Sequence, residues 1–324
     1  MRSTRIGASS PWRLIVLVAW VSVTAWAASP KELLSSGHVD EAIQALQQQV
    51  SQSPENAEFH NLLCRAYFMA EEWDRGIPEC ERARSLDPPK SLYYLWLGRI
   101  YGEKAARAGF LSAAGLAKKV RTSFERAVEL DPTSWEARSD LAEFYLEAPG
   151  VVGGGKDKAL AQADALMSLN PGIAHWVMGS VAEKEKDMIG AEREYRAEIA
   201  VTHGGARGWL ELAIFMRHAN RLEEMEQALR QMESAPVDRA EALMDGASIP
   251  LRTSRDYDLG VRLIRRYFSG GPVEEGPAFK AHDYLGQLLE RQGDRRRAAE
   301  EYRASLALFH GYRHAQENLK RVEH

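Results

Sequence analysis

Pro54, Pro88, Pro132 and Pro171 each close a helix-like stretch, and they stand 34, 44 and 39 residues apart. A period of about 34 residues points to helical hairpins stacked side by side, because one hairpin cannot bury its apolar face alone. The two longer intervals then hold extra residues inserted into otherwise regular units. In such an array function resides in a surface rather than in a catalytic pocket.

The units share register residue by residue. One carries Tyr94, Leu97, Gly98 and Tyr101 on its first helix, Phe124 and Ala127 on its second, and the breaker Asp131-Pro132. The unit before it reads His60, Leu63, Cys64 and Tyr67, then Trp73, Gly76, Cys80, Ala83 and Pro88. Far downstream the pattern returns as His282, Leu285, Gly286, Leu289, Gly293, Ala298 and Tyr302. These positions resemble the tetratricopeptide repeat family, whose units run W-x2-L-G-x2-Y, then A-x3-F, then P. The resemblance covers nearly all of residues 28–324 and implies an all-α, right-handed solenoid of about eight hairpins, with loop insertions in the third and fourth.

The residue types have a packing logic. Gly98, Gly286, Ala191 and Ala298 let antiparallel helices approach, while Tyr, Phe and Leu at helical spacing fill the seam. Proline lacks an amide hydrogen and restrains its predecessor away from helical angles, so Leu130-Asp131-Pro132 and Leu169-Asn170-Pro171 each end one unit and begin the next. Second helices are expected around Ala42, Gly76, Val120, Ala159, Ala191, Met225, Gly260 and Ala298, and the polar segment from Arg313 to Glu323 is expected to cap the open end.

The N-terminus speaks to location. Arg2, Arg5 and Arg13 precede an apolar run from Leu14 to Trp26, and Ala25-Trp26-Ala27 has small residues where a signal peptidase reads. The expectation is a signal peptide over residues 1–27, cleavage after Ala27 and a periplasmic product. The run is well short of the roughly 20 residues that span a bilayer stably. The net charge of −4 becomes about −7 once these three arginines are removed, and basic and acidic residues are interspersed. That disfavours nucleic acid, whose binders need a basic face to release counterions.

Both cysteines lie in the second unit, Cys64 at the small position of its first helix and Cys80 at the aromatic position of its second. Antiparallel pairing brings them level. A disulfide and a pair of buried thiols satisfy the pattern equally.

The extra residues of the third and fourth units fall between their helices, so they are expected on one rim, side by side. The first contains Phe110, Leu111, Lys118 and Lys119; the second runs from Ala148 through Gly154 to Lys156. Gly150 to Lys156 matches part of a phosphate-binding P-loop, but Asp157 stands where a magnesium-binding hydroxyl belongs and a helix precedes it instead of a strand. Glycines that permit a tight loop, with Val151 and Val152 packed on Phe110, Leu111 or Leu116, are the simpler reading. No His, Cys or carboxylate pattern calls for a metal, a cofactor or catalysis; His310 and His314 share a helical face without a third ligand.

In the resembled family the first helices line a concave groove. The residues expected there include Asn61, Arg65, Phe68, Arg99, Leu146, Trp176 and Arg217, a mixture suited to a protein or peptide segment. Asn61, Arg65 and Arg99 partly resemble the lysine and asparagine clamp with which some members grip a C-terminal carboxylate. The expected function is a non-enzymatic scaffold of the cell envelope. A receptor for a small apolar or anionic ligand and an accessory subunit of an envelope enzyme or secretion complex are the alternatives, and a homo-oligomer is compatible with each.

Overall fold

The computed structural model describes residues 28–324, so the expected signal peptide lies outside the described residues. Among those described there are 17 α-helices and no strand. They form eight consecutive hairpins: α1 (Pro30–Ser36) with α2 (Val39–Gln52), α3 (Ala57–Met69) with α4 (Trp73–Leu86), α5 (Ser91–Ala106) with α6 (Phe110–Leu130), and α7 (Trp135–Glu147) with α8 (Lys156–Leu166). Then come α9 (Pro171–Lys184) with α10 (Met188–Val201), α11 (Ala206–His218) with α12 (Leu222–Ser234), α13 (Ala240–Thr253) with α14 (Tyr257–Gly270), and α15 (Ala278–Arg291) with α16 (Arg295–Leu308). A last helix, α17 (Arg313–Glu323), packs on α16 and α15.

Local chemistry places the ends. Asn56, Ser134, Asn170 and Asp294 accept a backbone N–H three residues on, satisfying a donor that the first turn leaves free. Pro171 occupies the first helical position of α9, where no amide hydrogen is needed.

The seam inside each hairpin repeats one contact. A Cβ added to Gly179 would lie 2.9 Å from the ring of Tyr195, and one added to Gly286 would lie 2.5 Å from Tyr302. Gly98 and Phe124 meet in the same way. The equivalent pair in the second hairpin is Cys64 and Cys80, which the structure joins in a disulfide with a Cα–Cα distance of 5.3 Å.

The insertions behave differently from each other. In the third hairpin the extra residues lengthen both helices instead of forming a loop: α5 has 16 residues, α6 has 21, and only residues 107–109 intervene. Ala113, Ala114, Leu116, Ala117, Lys118 and Lys119 are strong helix formers, which accounts for the correction. The fourth hairpin does have a loop, with one 3-10 turn over Gly150–Val152.

The array closes on itself. Gly37 ends α1 in the left-handed region at φ +81°, and a Cβ there would come within 2.9 Å of the Ala278 nitrogen at the start of α15. Leu33, Leu34, Leu63 and Tyr67 belong to one apolar cluster with Phe279, Phe309, Tyr312 and Ala315. Polar bonds cross the same seam. The His310 N–H donates to Asp40 over 2.7 Å, the Arg65 guanidinium grips Glu274 bidentately with Nε–Oε1 at 2.7 Å, and Lys280 lies 3.8 Å from Glu71. First and last units therefore turn the concave groove into a ring-enclosed channel.

Candidate functional site

A cavity of about 1180 Å³ lies in this channel. It is lined by the first turns of α5, α7, α9, α11 and α13, by the segment entering α15, and by side chains further along the first helices. Four inward arginines rest on tryptophan faces. Arg65 and Arg99 sandwich Trp96, each guanidinium 4.9 Å from the ring centre; Arg207 covers Trp176 at 5.2 Å and Arg239 covers Trp135 at 5.5 Å. The stacking holds each planar cation in one orientation while leaving its edge free to hydrogen-bond.

Those edges are engaged. Arg65 binds Glu274, Arg99 donates from Nε to Asp140 over 2.6 Å, Arg207 binds Glu198, and Arg239 binds Glu241. The two arginines of the expected clamp for a ligand carboxylate are thus already occupied by the protein's own carboxylates. The lining is a lattice of paired charges over aromatic rings.

Deeper along the concave face sit Glu143, Glu211 and Asp245. Loss of solvation, followed by Asp140, Glu147 and Glu211, pushes the Glu143 carboxyl up to about 7. Asp245 is pushed to about 6, by loss of solvation and then by Glu241 and Glu211. Both side chains keep exposed surface, while the crowding of protein and of like charges around their carboxyls disfavours the ionised form. Folded values above unfolded ones mean that the native state binds the extra protons, so stability falls as pH rises from about 5 to about 8. A Glu143→Gln, Asp245→Asn double variant should show a smaller decline of melting temperature across that range. An unchanged decline would remove these groups as its source.

The structure sorts the expected groove residues. Arg65 and Arg99 line the cavity and Phe68 packs edge-on against Trp96 with centroids 5.5 Å apart. Asn61 is buried, with Nδ2 unpartnered. Trp176 is half-buried beneath Arg207 and is not part of the lining, Arg217 donates to His218 instead of facing the cavity, and Leu146 lines a separate small pocket by the fourth hairpin's loop. Sequence reasoning does not reach Trp96, Trp135, Arg207 and Arg239; Arg207 meets Trp176 of the preceding first helix and Arg239 meets Trp135 three units away, and such meetings depend on the curvature of the stack.

The rim is less concerted than its sequence suggests. Val151 is 92% exposed, so it is not the buried apolar contact expected of it; the side chains of Phe110 and Leu111 lie outside the described set. Lys156 is paired with Glu185 at 2.6 Å and Lys158 donates to the Gly153 carbonyl, which engages the lysines of the glycine-rich loop. Gly154 is required by space, since a side chain would collide with the Ala148 carbonyl. Lys119 lies over the Tyr101 ring at 4.7 Å, whereas Lys118 is exposed. Among the described residues no three His, Cys or acidic side chains are placed to hold a metal, and no helix is long and apolar enough to cross a membrane.

Residues 33–100 match the family model described as tetratricopeptide repeat. Among solved structures, yeast Tom70 is 13% identical, with a TM-score of 0.53 over 88% of this chain and 58% of that one, so the present chain spans little more than half of its length. A thermophilic TPR protein of Thermus thermophilus is 14% identical over 53% of this chain and 91% of its own, with a TM-score of 0.44. A tetratricopeptide repeat protein of Parabacteroides merdae is 13% identical over 91% and 99%, also at 0.44. No curated protein matches the sequence. The Tom70 likeness shows the fold and nothing more.

Proposed function

We propose that this chain, a tetratricopeptide-type helical repeat protein, is a non-enzymatic scaffold of the bacterial cell envelope that holds an extended segment of a protein partner in its closed channel. The observation that carries the reading is the cavity of about 1180 Å³ walled by successive first helices and by Val273 and Glu275 of the segment entering α15, which Glu274 ties to Arg65. A closed ring admits a chain terminus or an extended strand of partner, not a folded face. Trp96 and Trp135, with arginines held over them, supply aromatic and charged groups to the wall, a combination that peptide-binding surfaces use. The charged leader of residues 1–27 supports export, and an N-terminus at Ala28 in the secreted protein is its direct check.

Site-specific photocrosslinking in the envelope tests the location of the site. A benzophenone amino acid in place of Ser139, on the channel wall, should capture one linear segment of a partner; the same group in place of Val151, on the rim, should not. Capture from position 151 alone would move the binding surface to the rim.

A further inference from the structure

Glu198 is fully buried on α10, yet it lines the cavity and its Oε2 has no hydrogen-bond partner. Its other oxygen accepts from Arg207. That guanidinium is shared: Nη2 of Arg207 also reaches Glu211 at 3.3 Å. Asp238, from the turn before α13, completes the group by accepting the backbone N–H of Arg207 at 3.1 Å and the backbone N–H of Arg239 at 3.0 Å. Three carboxylates thus gather around one buried arginine, and on the cavity-lining Glu198 one buried carboxylate oxygen is left without a donor. A buried acceptor with no donor is costly, and a cluster short of positive charge is costly for the same reason.

We infer that this corner of the channel is a cation subsite, in which an ammonium or guanidinium group on the bound segment donates to Oε2 of Glu198. The inference rests on the peptide-channel reading and names its chemistry: the segment carries a lysine, an arginine or a free amino terminus here. Arg207 lies over Trp176 with one terminal nitrogen on Glu198 Oε1 and the other on Glu211, so its donors are spent on the two glutamates and not on the second oxygen of Glu198. From α9 the backbone of Gly172 approaches the α10 side chains closely: a Cβ there would stand 2.7 Å from the Thr202 methyl and 3.9 Å from Glu198 Cγ.

The groups acting on Glu198 are Arg207, Glu211 and Asp238. Burial, and then the two acidic neighbours, raise its proton affinity against the pull of Arg207, so the empty site favours the protonated carboxyl. An arriving cation displaces it: the Glu198 carboxyl O–H breaks, the proton leaves to solvent, and the ligand N–H bonds the freed carboxylate. Proton release on binding near neutral pH follows.

The test is selection from a random pool of terminally blocked heptapeptides on the purified chain and on its Glu198→Gln variant, with spermidine as a separate amine probe. Lysine and arginine should be enriched at least about five-fold among peptides held by the parent, and should return to pool frequency with Glu198→Gln while capture itself persists. Peptides captured without that enrichment would overturn the cation subsite and leave the channel reading standing. Spermidine bound by the parent and lost in the variant, with no peptide held by either, would keep the subsite and overturn the peptide channel. Binding of neither probe would overturn both. Should Glu198→Gln fail to fold, titration calorimetry of the parent in two buffers of different ionisation enthalpy reads the displaced proton directly, and zero release would overturn the exchange.

Discussion

Phe279→Ala is expected to destabilise the protein by about 3–5 kcal/mol, the range for truncating a fully buried phenylalanine, and to open the ring. Phe279 has no exposed surface and meets Phe309 and Tyr312 edge-on, with centroids 5.3 and 4.8 Å away, inside the cluster that also holds Leu33, Leu34, Leu63 and Tyr67 from the other end of the chain. An open solenoid is stabilised by contacts between neighbouring units alone. Here the ends add a further interface, and Phe279 stands at its centre. Small-angle scattering should therefore show a larger radius of gyration in Phe279→Ala. Phe215→Ala provides the control, because Phe215 is equally buried but lies within the stack against Tyr195, away from the seam. It should lose comparable stability without expansion. Equal dimensions in both variants would mean that the seam does not hold the ring.

Closure also bears on how much of the molecule is legible in the sequence. The hairpins are readable because each repeats a local rule: an apolar seam at helical spacing, a small residue facing an aromatic one, and a proline or capping residue at the break. Even the irregular seventh unit forms a regular pair, α13 and α14. The channel site is only partly readable. Arg65 and Arg99 are found on the inner face of their own helices, but their partners are not, since Glu274 is 209 residues from Arg65 and Asp140 lies on the next first helix. Repeat periodicity describes a unit and its neighbours; it contains no information on whether the accumulated curvature brings the ends together. The third insertion misleads for a different reason. Extra length reads as loop, although its alanines, leucine and lysines favour continuing a helix.

That closed geometry changes what binding can mean for this protein. Because the guanidiniums of Arg65, Arg99, Arg207 and Arg239 already have carboxylate partners, a ligand gains little by supplying another carboxylate. Exchange of partners, or use of an acceptor left over, is what remains. The unpartnered Oε2 of Glu198 is such an acceptor, and it lies on the wall that an extended segment would pass.

Replacing Cys64 and Cys80 together by alanine should lower stability by about 3 kcal/mol, the loop-closure value for a bridge spanning some 15 residues. Denaturant midpoints with and without reductant read this directly. The parent should lose stability on reduction, the alanine pair should be indifferent to it, and the unfolded parent should present no alkylatable thiol before reduction. Two labelled thiols in the oxidised, unfolded parent would mean that the bridge does not form. The structure also explains why the bond sits there. Where other hairpins set an aromatic ring of the second helix against a glycine of the first, as Tyr195 on Gly179 and Tyr302 on Gly286, this hairpin sets sulfur against sulfur. The covalent bond stands in for an aromatic contact that fills the same space. A Cys64→Gly, Cys80→Tyr variant should accordingly recover part of the stability lost in the alanine pair, reduced by the roughly 1 kcal/mol that glycine costs inside a helix. If it is no more stable than the alanine pair, the two contacts are not equivalent, and the bridge contributes through chain entropy alone.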